Sequence, residues 1–307
     1  MAESGVEKVL QKLRTNLEAG SYYEAQQMFK TVYHRYRSRK LYADSYTLAE
    51  EGARLQLEKG QLNCGVELAK LLLEAYEADD LEVNDTTLRR IWNVLHAFPQ
   101  ASTSDAPGSC TASEATQFIN ATFKWATRKQ AHAALGNMHA QAAQFLWDTY
   151  GQSQLQAITM HFLRSDNLPG FASVLAQCVS EAHPDEEDLF LTRAVLQLLS
   201  TPAQDPAACR KARAADATEL LESYQAITRQ ALPDTPVMHF TQLLVQAVER
   251  ESLTLTRLLQ KEYRLSLQRD PALQGLLDKV EAVCLGVKQG GGMGNILSDM
   301  LKTLAEG

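Results

Sequence analysis

The sequence predicts an all-α protein, an α-solenoid of TPR-like helical hairpins with roughly fourteen helices in one curved array. Three observations support this fold class. Glycine and proline are sparse, with 16 and 9 among 307 residues, and the alternating patterns of strands are missing. Apolar residues recur at the spacing of an α-helix over most of the chain. The N-terminal part carries an internal repeat with a period of about 20 residues.

Three segments show the repeat: GSYYEAQQMF from residue 20, KLYADSYTLA from residue 40 and GQLNCGVELA from residue 60. Tyr22, Tyr42 and Leu62 have the same position in them, and the small residues Ala25, Ser45 and Gly65 follow three positions later. A period of about 20 residues fits one helix of about four turns and a short turn. The small residue allows the neighbouring helix to approach closely, as in a helical hairpin.

Later helices are indicated by their start signals and by apolar periodicity. Asn84 or Asp85 can cap a helix, Thr111 with Glu114 fits a capping box, and Pro169 and Pro184 suit first turns. Further helices are predicted at about 132–150, 153–164, 217–230, 236–250, 252–267 and 271–285. A last amphipathic helix carries Ile296, Leu297, Met300, Leu301 and Leu304.

Three stretches are predicted to connect helices. Residues 101–109 form a polar loop, and the small and polar residues of 200–217 suggest a mobile connection. The glycines of KQGGGMG, at 288–294, could suggest a phosphate-binding loop, but no strand precedes them and the spacing of such a loop is missing. We therefore expect this segment to be a flexible tether. We therefore divide the chain into an N-terminal half, 1–150, and a C-terminal half, 151–307, which ends in the glycine-tethered helix.

Composition excludes several function classes. The formal net charge of -7 and the pI near 5.6 argue against a nucleic-acid-binding protein. Five cysteines without a C-x-x-C pair fit a reducing compartment. No run of about 18 apolar residues and no apolar signal core is found, so direct membrane insertion is not expected. A cytosolic protein that binds other proteins is the first expectation.

No arrangement of nucleophile, base, metal ligands or phosphate loop indicates an enzyme, and no cofactor or metal is expected. His132 and His139 can share a helix face, but no second pair supports a metal site. The acidic run at 185–188 lacks the ligand spacing of an EF-hand and is explained by its place at a helix start. A hidden hydrolase is the least favoured class.

Binding features are more informative than catalytic ones. On the helix that begins near residue 22, one polar stripe faces away from the apolar stripe; it consists of Tyr23, Gln27, Lys30, His34 and Arg37. Tyrosine and arginine on an exposed face are typical interface anchors, and an acidic partner would fit them. The alternative is that the cations of YHRYRSRK, 33–40, only complement the helix dipole and stay solvated.

Residues 12–53, KLRTNLEAGSYYEAQQMFKTVYHRYRSRKLYADSYTLAEEGA, resemble the N-terminal signature of the Get-four family. This family serves the guided-entry pathway for tail-anchored membrane proteins and, in animals, belongs to the transmembrane-domain recognition complex. Further matches are Trp125 in FKWA, FLTRAVLQLL at 190–199, SLQRDPALQGLLDKV at 266–280 and the ending LGVKQGGGMGNILSDML. The resemblance covers nearly the whole chain, in order.

The resemblance implies a cytosolic scaffold with two working ends. In the family, the N-terminal helices hold the targeting ATPase, Get-three, and regulate its hydrolysis. The C-terminal half holds the ubiquitin-like protein Get-five, which recruits a co-chaperone carrying the tail-anchored client. Such a bridge promotes handover for insertion into the ER membrane by raising the effective concentration, and it needs no chemistry of its own. The alternative is another helical-repeat adaptor, of the vesicle-fusion or proteasome-lid type.

The resemblance also suggests site residues. Tyr22, Glu24 and Ala25 match the Y-x-E-A core of the family, and Arg35 with Tyr36 matches its R-Y pair. From helical phase we predict that the ATPase contacts Tyr23, Gln27, Lys30, Arg35 and Arg37. For the ubiquitin-like partner we predict Phe240, Leu243, Leu244, Leu297, Met300 and Leu301. Some members insert a β-hairpin before the segment that matches HFTQLL, and here 231–238 is too short for one.

Overall fold

The computed structural model describes residues 5–100, 110–202 and 206–287. These residues contain fourteen α-helices of eight residues or more, one α-helix of four residues and two 3₁₀ turns, without a β-strand. The predicted all-α fold class is confirmed. The chain divides into two compact units, Met1–Asp166 and Asn167–Gly307. Within the described residues, no helix is both long enough and apolar enough to cross a membrane.

The first unit contains eight α-helices among its described residues. They are α1 (Gly5–Glu18), α2 (Tyr22–Ser38), α3 (Tyr42–Glu58), α4 (Leu62–Ala78), α5 (Asp85–His96), α6 (Cys110–Arg128), α7 (His132–Tyr150) and α8 (Leu155–Phe162). Helices α1, α3 and α5 pack side by side in one layer, and α2, α4 and α6 pack in a second layer. Helix α3 contacts both α2 and α4, so consecutive helices form hairpins across the two layers.

The predicted repeat is present as three helices of equal length. Helices α2, α3 and α4 have 17 residues each and begin at Tyr22, Tyr42 and Leu62. The turn before each of them contains a residue with positive φ, namely Gly20, Lys40 and Gly60. In the second turn the amide of Leu41 bonds to the carbonyl of Tyr36 at 3.0 Å, which completes a Schellman motif. The period of 20 residues is therefore a 17-residue helix and three connecting residues, of which the middle one has positive φ.

The small residues of the repeat lie where neighbouring helices come closest. Ala25 and Ser45 have no exposed surface, and Gly65 is buried. A Cβ atom on Gly65 would lie 2.5 Å from the side chain of Leu57, and one on Gly52 would lie 2.9 Å from Phe29. Neighbouring helices of the hairpins therefore approach as closely as the sequence predicted, and a larger side chain at Gly65 or Gly52 would not fit.

Helix starts in the rest of the first unit follow the sequence with one exception. Asn84 caps α5, and its side chain accepts hydrogen bonds from the amides of Thr86 and Thr87. Helix α6 begins at Cys110, so Thr111 lies inside the helix and is not its N-cap residue. A 3₁₀ turn, Gly151–Gln154, precedes α8. The predicted loop at 101–109 lies outside the described residues.

The second unit contains six longer α-helices and one short one among its described residues. They are α9 (Leu168–Glu181), α10 (Glu187–Leu199), α11 (Pro206–Thr228), α12 (Pro236–Glu249), α13 (Leu253–Glu262), the short α14 (Arg264–Leu267) and α15 (Ala272–Leu285). Helix α11 packs against α9, α10 and α12, and α15 returns to contact α10 and α11. The 3₁₀ turn Pro184–Glu186 leads into α10.

The prediction of a mobile connection at 200–217 is wrong for most of this segment. Helix α11 begins at Pro206 and has 23 residues. Alanine is the strongest helix former, and proline fits a first turn, so the small residues of this segment favour a helix. The buried Ala214 and Ala217 face the core. The predicted tether at 288–294 and the terminal helix lie outside the described residues.

Candidate functional site

Helix α2 presents three of the five predicted ATPase contacts on its outer surface. Tyr23 is 69% exposed, and Gln27 and Arg35 are exposed as well. We call these three residues the α2 surface. Thr31 and His34 are also exposed on this helix. The Thr31 hydroxyl donates to the carbonyl of Gln27 at 2.8 Å. The ring of a tyrosine and a guanidinium group thus remain available to a partner.

Lys30 contacts α4. Its ammonium group forms an ion pair with Glu67, and the amide of Gln26 donates to the same carboxylate at 2.8 Å. Gln26 is itself buried between the helices. The hydrogen bond from Lys30 lowers the pKa of the Glu67 carboxyl, so this carboxyl stays ionised near neutral pH. Lys30 therefore links α2 to α4.

Arg37 binds Asp79, which follows the end of α4. One nitrogen of the guanidinium donates to Oδ1 at 2.9 Å and the other donates to Oδ2. The hydroxyl of Tyr46, on α3, donates to the same carboxylate, and the guanidinium lies 4.9 Å from the ring centre of Tyr42. Three consecutive helices meet at this group, which we call the Asp79 network: Arg37, Tyr42, Tyr46 and Asp79.

In the Asp79 network the negative charge of Asp79 is compensated by Arg37 and by the hydroxyl of Tyr46. Burial raises the pKa of Asp79, but the hydrogen bonds from Arg37 and Tyr46 outweigh it, and the pKa is lowered. Burial and the bond to Asp79 raise the pKa of Tyr46 to about 12. The carboxylate is thus charged and the phenol neutral at pH 7. A bidentate arginine bond in this setting fixes the orientation of α2.

Ion pairs of the same kind connect other helices of each layer. Arg14 of α1 and Arg90 of α5 bind the adjacent Glu51 and Glu50 of α3, at 3.2 and 2.6 Å. Arg128, at the end of α6, binds Glu77 of α4 at 2.5 Å. The sequence signal for these pairs is a cation and an acid about two helices apart. Helical phase alone does not reveal them, because it describes one helix at a time.

Near the end of α2, some cations remain unpaired. Within the described residues, the side chains of Arg35, Arg39 and Lys40 form no ion pair, and all three are exposed. The α2 surface therefore lies next to positive charge that no ion pair within the described part of the chain neutralises. Acidic side chains on a partner would be attracted to this position.

Three of the six predicted contacts of the second unit lie within the described residues, and two of these three belong to the core. Phe240 and Leu244 of α12 are 0% exposed, and the Phe240 ring lies 5.8 Å from that of Tyr263. Leu243 is 38% exposed. Leu297, Met300 and Leu301 lie outside the described residues. The sequence analysis missed Leu258 on α13 and Leu265 on α14, which are exposed. The sequence could have indicated them, because both are apolar residues that do not fall on the buried face of their helix.

The sequence suggested that His132 and His139 share a helix face, but in the structure the histidine that contacts His139 is His161. His139 of α7 contacts His161 of α8, with 2.8 Å between their Nδ1 atoms, and the ring of Phe123 stacks on His139. Burial lowers the pKa of His139 to about 3 and that of His161 to about 4. Both imidazoles are neutral at pH 7, so one can donate its proton to the other. The pair joins α7 to α8.

Comparisons with known proteins agree with the fold. The family model described as Golgi to ER traffic protein 4 matches residues 39–305. A Golgi to ER traffic protein 4 homolog from Oryzias latipes is 30% identical over 306 residues, covering 98% of this chain and 88% of the relative. Protein GET4 from Arabidopsis thaliana is 27% identical over 321 residues, covering 97% of this chain and 96% of the relative.

A solved structure supports the same architecture. The crystal structure of C. therm. Get4 superposes with a TM-score of 0.73, covering 98% of this chain and 96% of that chain. The sequence identity of this pair is 17%, so the likeness concerns the fold. The sequence comparisons thus point to one family, and the structure comparison shows the same fold.

Proposed function

The chain belongs to the Golgi to ER traffic protein 4 family, and from this premise we propose that it is a cytosolic scaffold for the guided entry of tail-anchored proteins. The first unit binds the targeting ATPase, Get-three, and regulates its hydrolysis. The second unit binds the ubiquitin-like protein Get-five, which brings a co-chaperone and its tail-anchored client. The scaffold thereby promotes client handover for insertion into the ER membrane.

The observation that carries the first half of this proposal is the α2 surface. Tyr23, Gln27 and Arg35 are exposed on a helix that ion pairs hold at two points, Lys30 with Glu67 and Arg37 with Asp79. A surface that is already ordered loses little conformational freedom on binding. Tyrosine and arginine supply contact area and hydrogen bonds to an acidic partner. In this proposal Lys30 and Arg37 act mainly by positioning α2.

The second half of the proposal concerns α12. Leu243 is exposed on the helix, while Phe240 and Leu244 are buried beneath it. In this proposal Leu243 is the residue of α12 that contacts the partner directly. Phe240 and Leu244 pack in the core and hold α12 in position. The terminal segment with Leu297, Met300 and Leu301 is the other proposed contact. Holding two partners on one chain raises their effective concentration without any reaction by the scaffold.

A binding titration tests the assignment of the α2 surface. Arg35→Glu and Tyr23→Ala are expected to weaken binding of the purified targeting ATPase by about tenfold each, and high salt should weaken it further. Glu58→Gln, on the exposed end of α3, is the matched control. An unchanged affinity in both α2 variants would remove this surface from the proposal.

A pull-down from cytosol with the intact chain tests the function as a whole. Recovery of a P-loop ATPase together with a ubiquitin-like protein supports the scaffold in the guided-entry pathway. Recovery of vesicle-fusion or proteasome-lid subunits without them would instead favour another helical-repeat adaptor. The two experiments can fail independently. If the ATPase binds this chain elsewhere than on α2, the variants leave the affinity unchanged, but the pull-down still recovers the ATPase.

A further inference from the structure

Ser38 is the last residue of α2 and lies at the end of the exposed face of this helix. Tyr23, Gln27 and Arg35, which form the α2 surface, fall on one stripe of the helix. Ser38 follows Arg35 by three positions, so it continues this stripe. The proposed function gives the hydroxyl of Ser38 no role, although it adjoins the surface that is proposed to bind the ATPase.

The hydroxyl of Ser38 has one local hydrogen bond. It donates to the carbonyl of His34 at 2.9 Å, and within the described residues no group donates to its oxygen. The last turn of a helix opens more easily than its middle. Lys40, two residues later, has φ of 59°, which strains a residue other than glycine. Local opening can therefore present the hydroxyl to an enzyme, although the bond of Arg37 to Asp79 opposes it.

The sequence around Ser38 carries a charge pattern that some protein kinases select. Arg35 lies three residues before the serine, and Arg39 and Lys40 follow it directly. Among all serines and threonines of the sequence, only Ser38 has an arginine three positions before it. Basophilic kinases bind such an arginine with acidic side chains, through charge-assisted hydrogen bonds. Arg35 is exposed and forms no ion pair within the described residues, so its guanidinium is available for this contact.

We propose that Ser38 is a phosphorylation site for a basophilic protein kinase, and that its phosphate lowers the affinity of the α2 surface for the ATPase. The second part rests on the proposed function. In the reaction, the Oγ atom of Ser38 attacks the γ-phosphorus of Mg-ATP. The new O–P bond forms as the bond to the β,γ-bridging oxygen breaks, and ADP leaves with that electron pair. The hydroxyl proton passes to the catalytic aspartate of the kinase.

The effect of the phosphate follows from the cations around it. Arg35, Arg39 and Lys40 are exposed and form no ion pair within the described residues. A phosphoserine carries a charge of about -1.5 to -2 at pH 7 and accepts hydrogen bonds from arginine. Arg35, three positions earlier on the helix, is within reach of such a bond. The phosphate therefore compensates most of this positive charge and occupies a residue of the α2 surface, so an acidic partner is attracted less.

Phosphorylation in vitro tests the site without any partner. The full-length protein is incubated with the catalytic subunit of cyclic-AMP-dependent protein kinase and Mg-ATP, and mass spectrometry maps the modified residues. Incorporation at Ser38 is expected, at a lower rate than in a free peptide of residues 32–44. It should be absent in Ser38→Ala and about tenfold slower in Arg35→Gln. Glu58→Gln, exposed on α3, is the control and should react like the parent protein.

Two results would overturn the site: no incorporation at Ser38 in the folded protein, whether or not the peptide reacts, or equal rates for Arg35→Gln and the parent protein. Because this assay contains no ATPase, its outcome does not depend on the proposed function.

Titration with the purified targeting ATPase tests the regulatory effect. Protein phosphorylated at Ser38 should bind about tenfold more weakly than the unmodified protein, whereas kinase-treated Ser38→Ala should keep the original affinity. Equal affinity of the phosphorylated and unmodified proteins, or an equal loss in treated Ser38→Ala, would overturn the regulation. If the unmodified protein does not bind the ATPase at all, the proposed function fails, and the result of the phosphorylation assay still stands.

Discussion

The two candidate surfaces differ in what became of their predicted residues. On α2 the predicted set was polar, and the structure divides it into the exposed α2 surface and two cations that bind α4 and its end. On α12 the predicted set was apolar, and two of its three residues lie in the core. A polar stripe thus identifies a helix face but not its ion-pair partners. An apolar stripe identifies a helix but not the part of it that remains uncovered.

The largest effect is expected on α12, where burial and exposure alternate between neighbouring residues. Phe240→Ala should lower the free energy of unfolding by about 3–5 kcal/mol, because Phe240 is fully buried. Leu243→Ala, on the exposed side, should change it by less than about 1 kcal/mol. Urea denaturation followed by circular dichroism measures both. Similar losses for the two variants would contradict the distinction between core and surface.

The next effect concerns the pH dependence of folding stability, which should differ between the two units. The pKa values of His139 and His161 are lowered to about 3 and about 4, so the unfolded chain takes up protons at a higher pH than the folded unit does. Their contribution to stability is complete above pH 6.5 and is lost as the pH falls toward 4. At pH 5 the first unit should lose about 2 kcal/mol for each of the two histidines.

Hydrogen exchange at pH 7 and pH 5 can follow each unit separately. The described histidines of the second unit, His183 and His239, are exposed, so its stability should change less over this range. Replacing His161 by Gln should flatten the pH dependence of the first unit. Equal acid sensitivity of the two units would argue against the histidine pair as the cause.

A smaller effect separates the two roles of cations on α2. Arg37→Ala should destabilise the first unit by about 1–3 kcal/mol, because it leaves the partly buried Asp79 without its main donor. Arg35→Ala should cost less than about 0.5 kcal/mol, since no ion pair is lost within the described residues. Thermal denaturation with a double-mutant cycle of Arg37 and Asp79 measures the coupling. Additive single effects would mean that the pair contributes nothing specific.

The smallest effect concerns the turns of the repeat. Lys40 has φ of 59°, where the equivalent turns use Gly20 and Gly60. Lys40→Gly is expected to stabilise the first unit by about 0.5–1 kcal/mol, because glycine adopts positive φ without strain. Lys59→Gly is the control, since Lys59 has φ of -88° and should gain nothing. Calorimetry that shows equal shifts for both would exclude backbone strain as the reason.

Local patterns predicted the helices well where one rule applied. The starts at Tyr22, Tyr42 and Leu62 follow from the repeat itself, and Asn84 follows from its capping chemistry. Helix α11 was misread because alanine and proline occur both in loops and in helix starts. The contact between Arg269 and Asp188 was not visible in the sequence, since the two residues are 81 positions apart.

The sequence by itself determined the fold class, the helix repeat and the packing stripe, because these depend on the helical period and on side-chain size within one or two turns. Only the tertiary structure decided which charged residues are free. Arg35 and Arg37 are two positions apart on one helix, yet one is exposed and the other binds Asp79. That outcome depends on the neighbouring helix, because an ion pair forms only where packing brings an acid within reach.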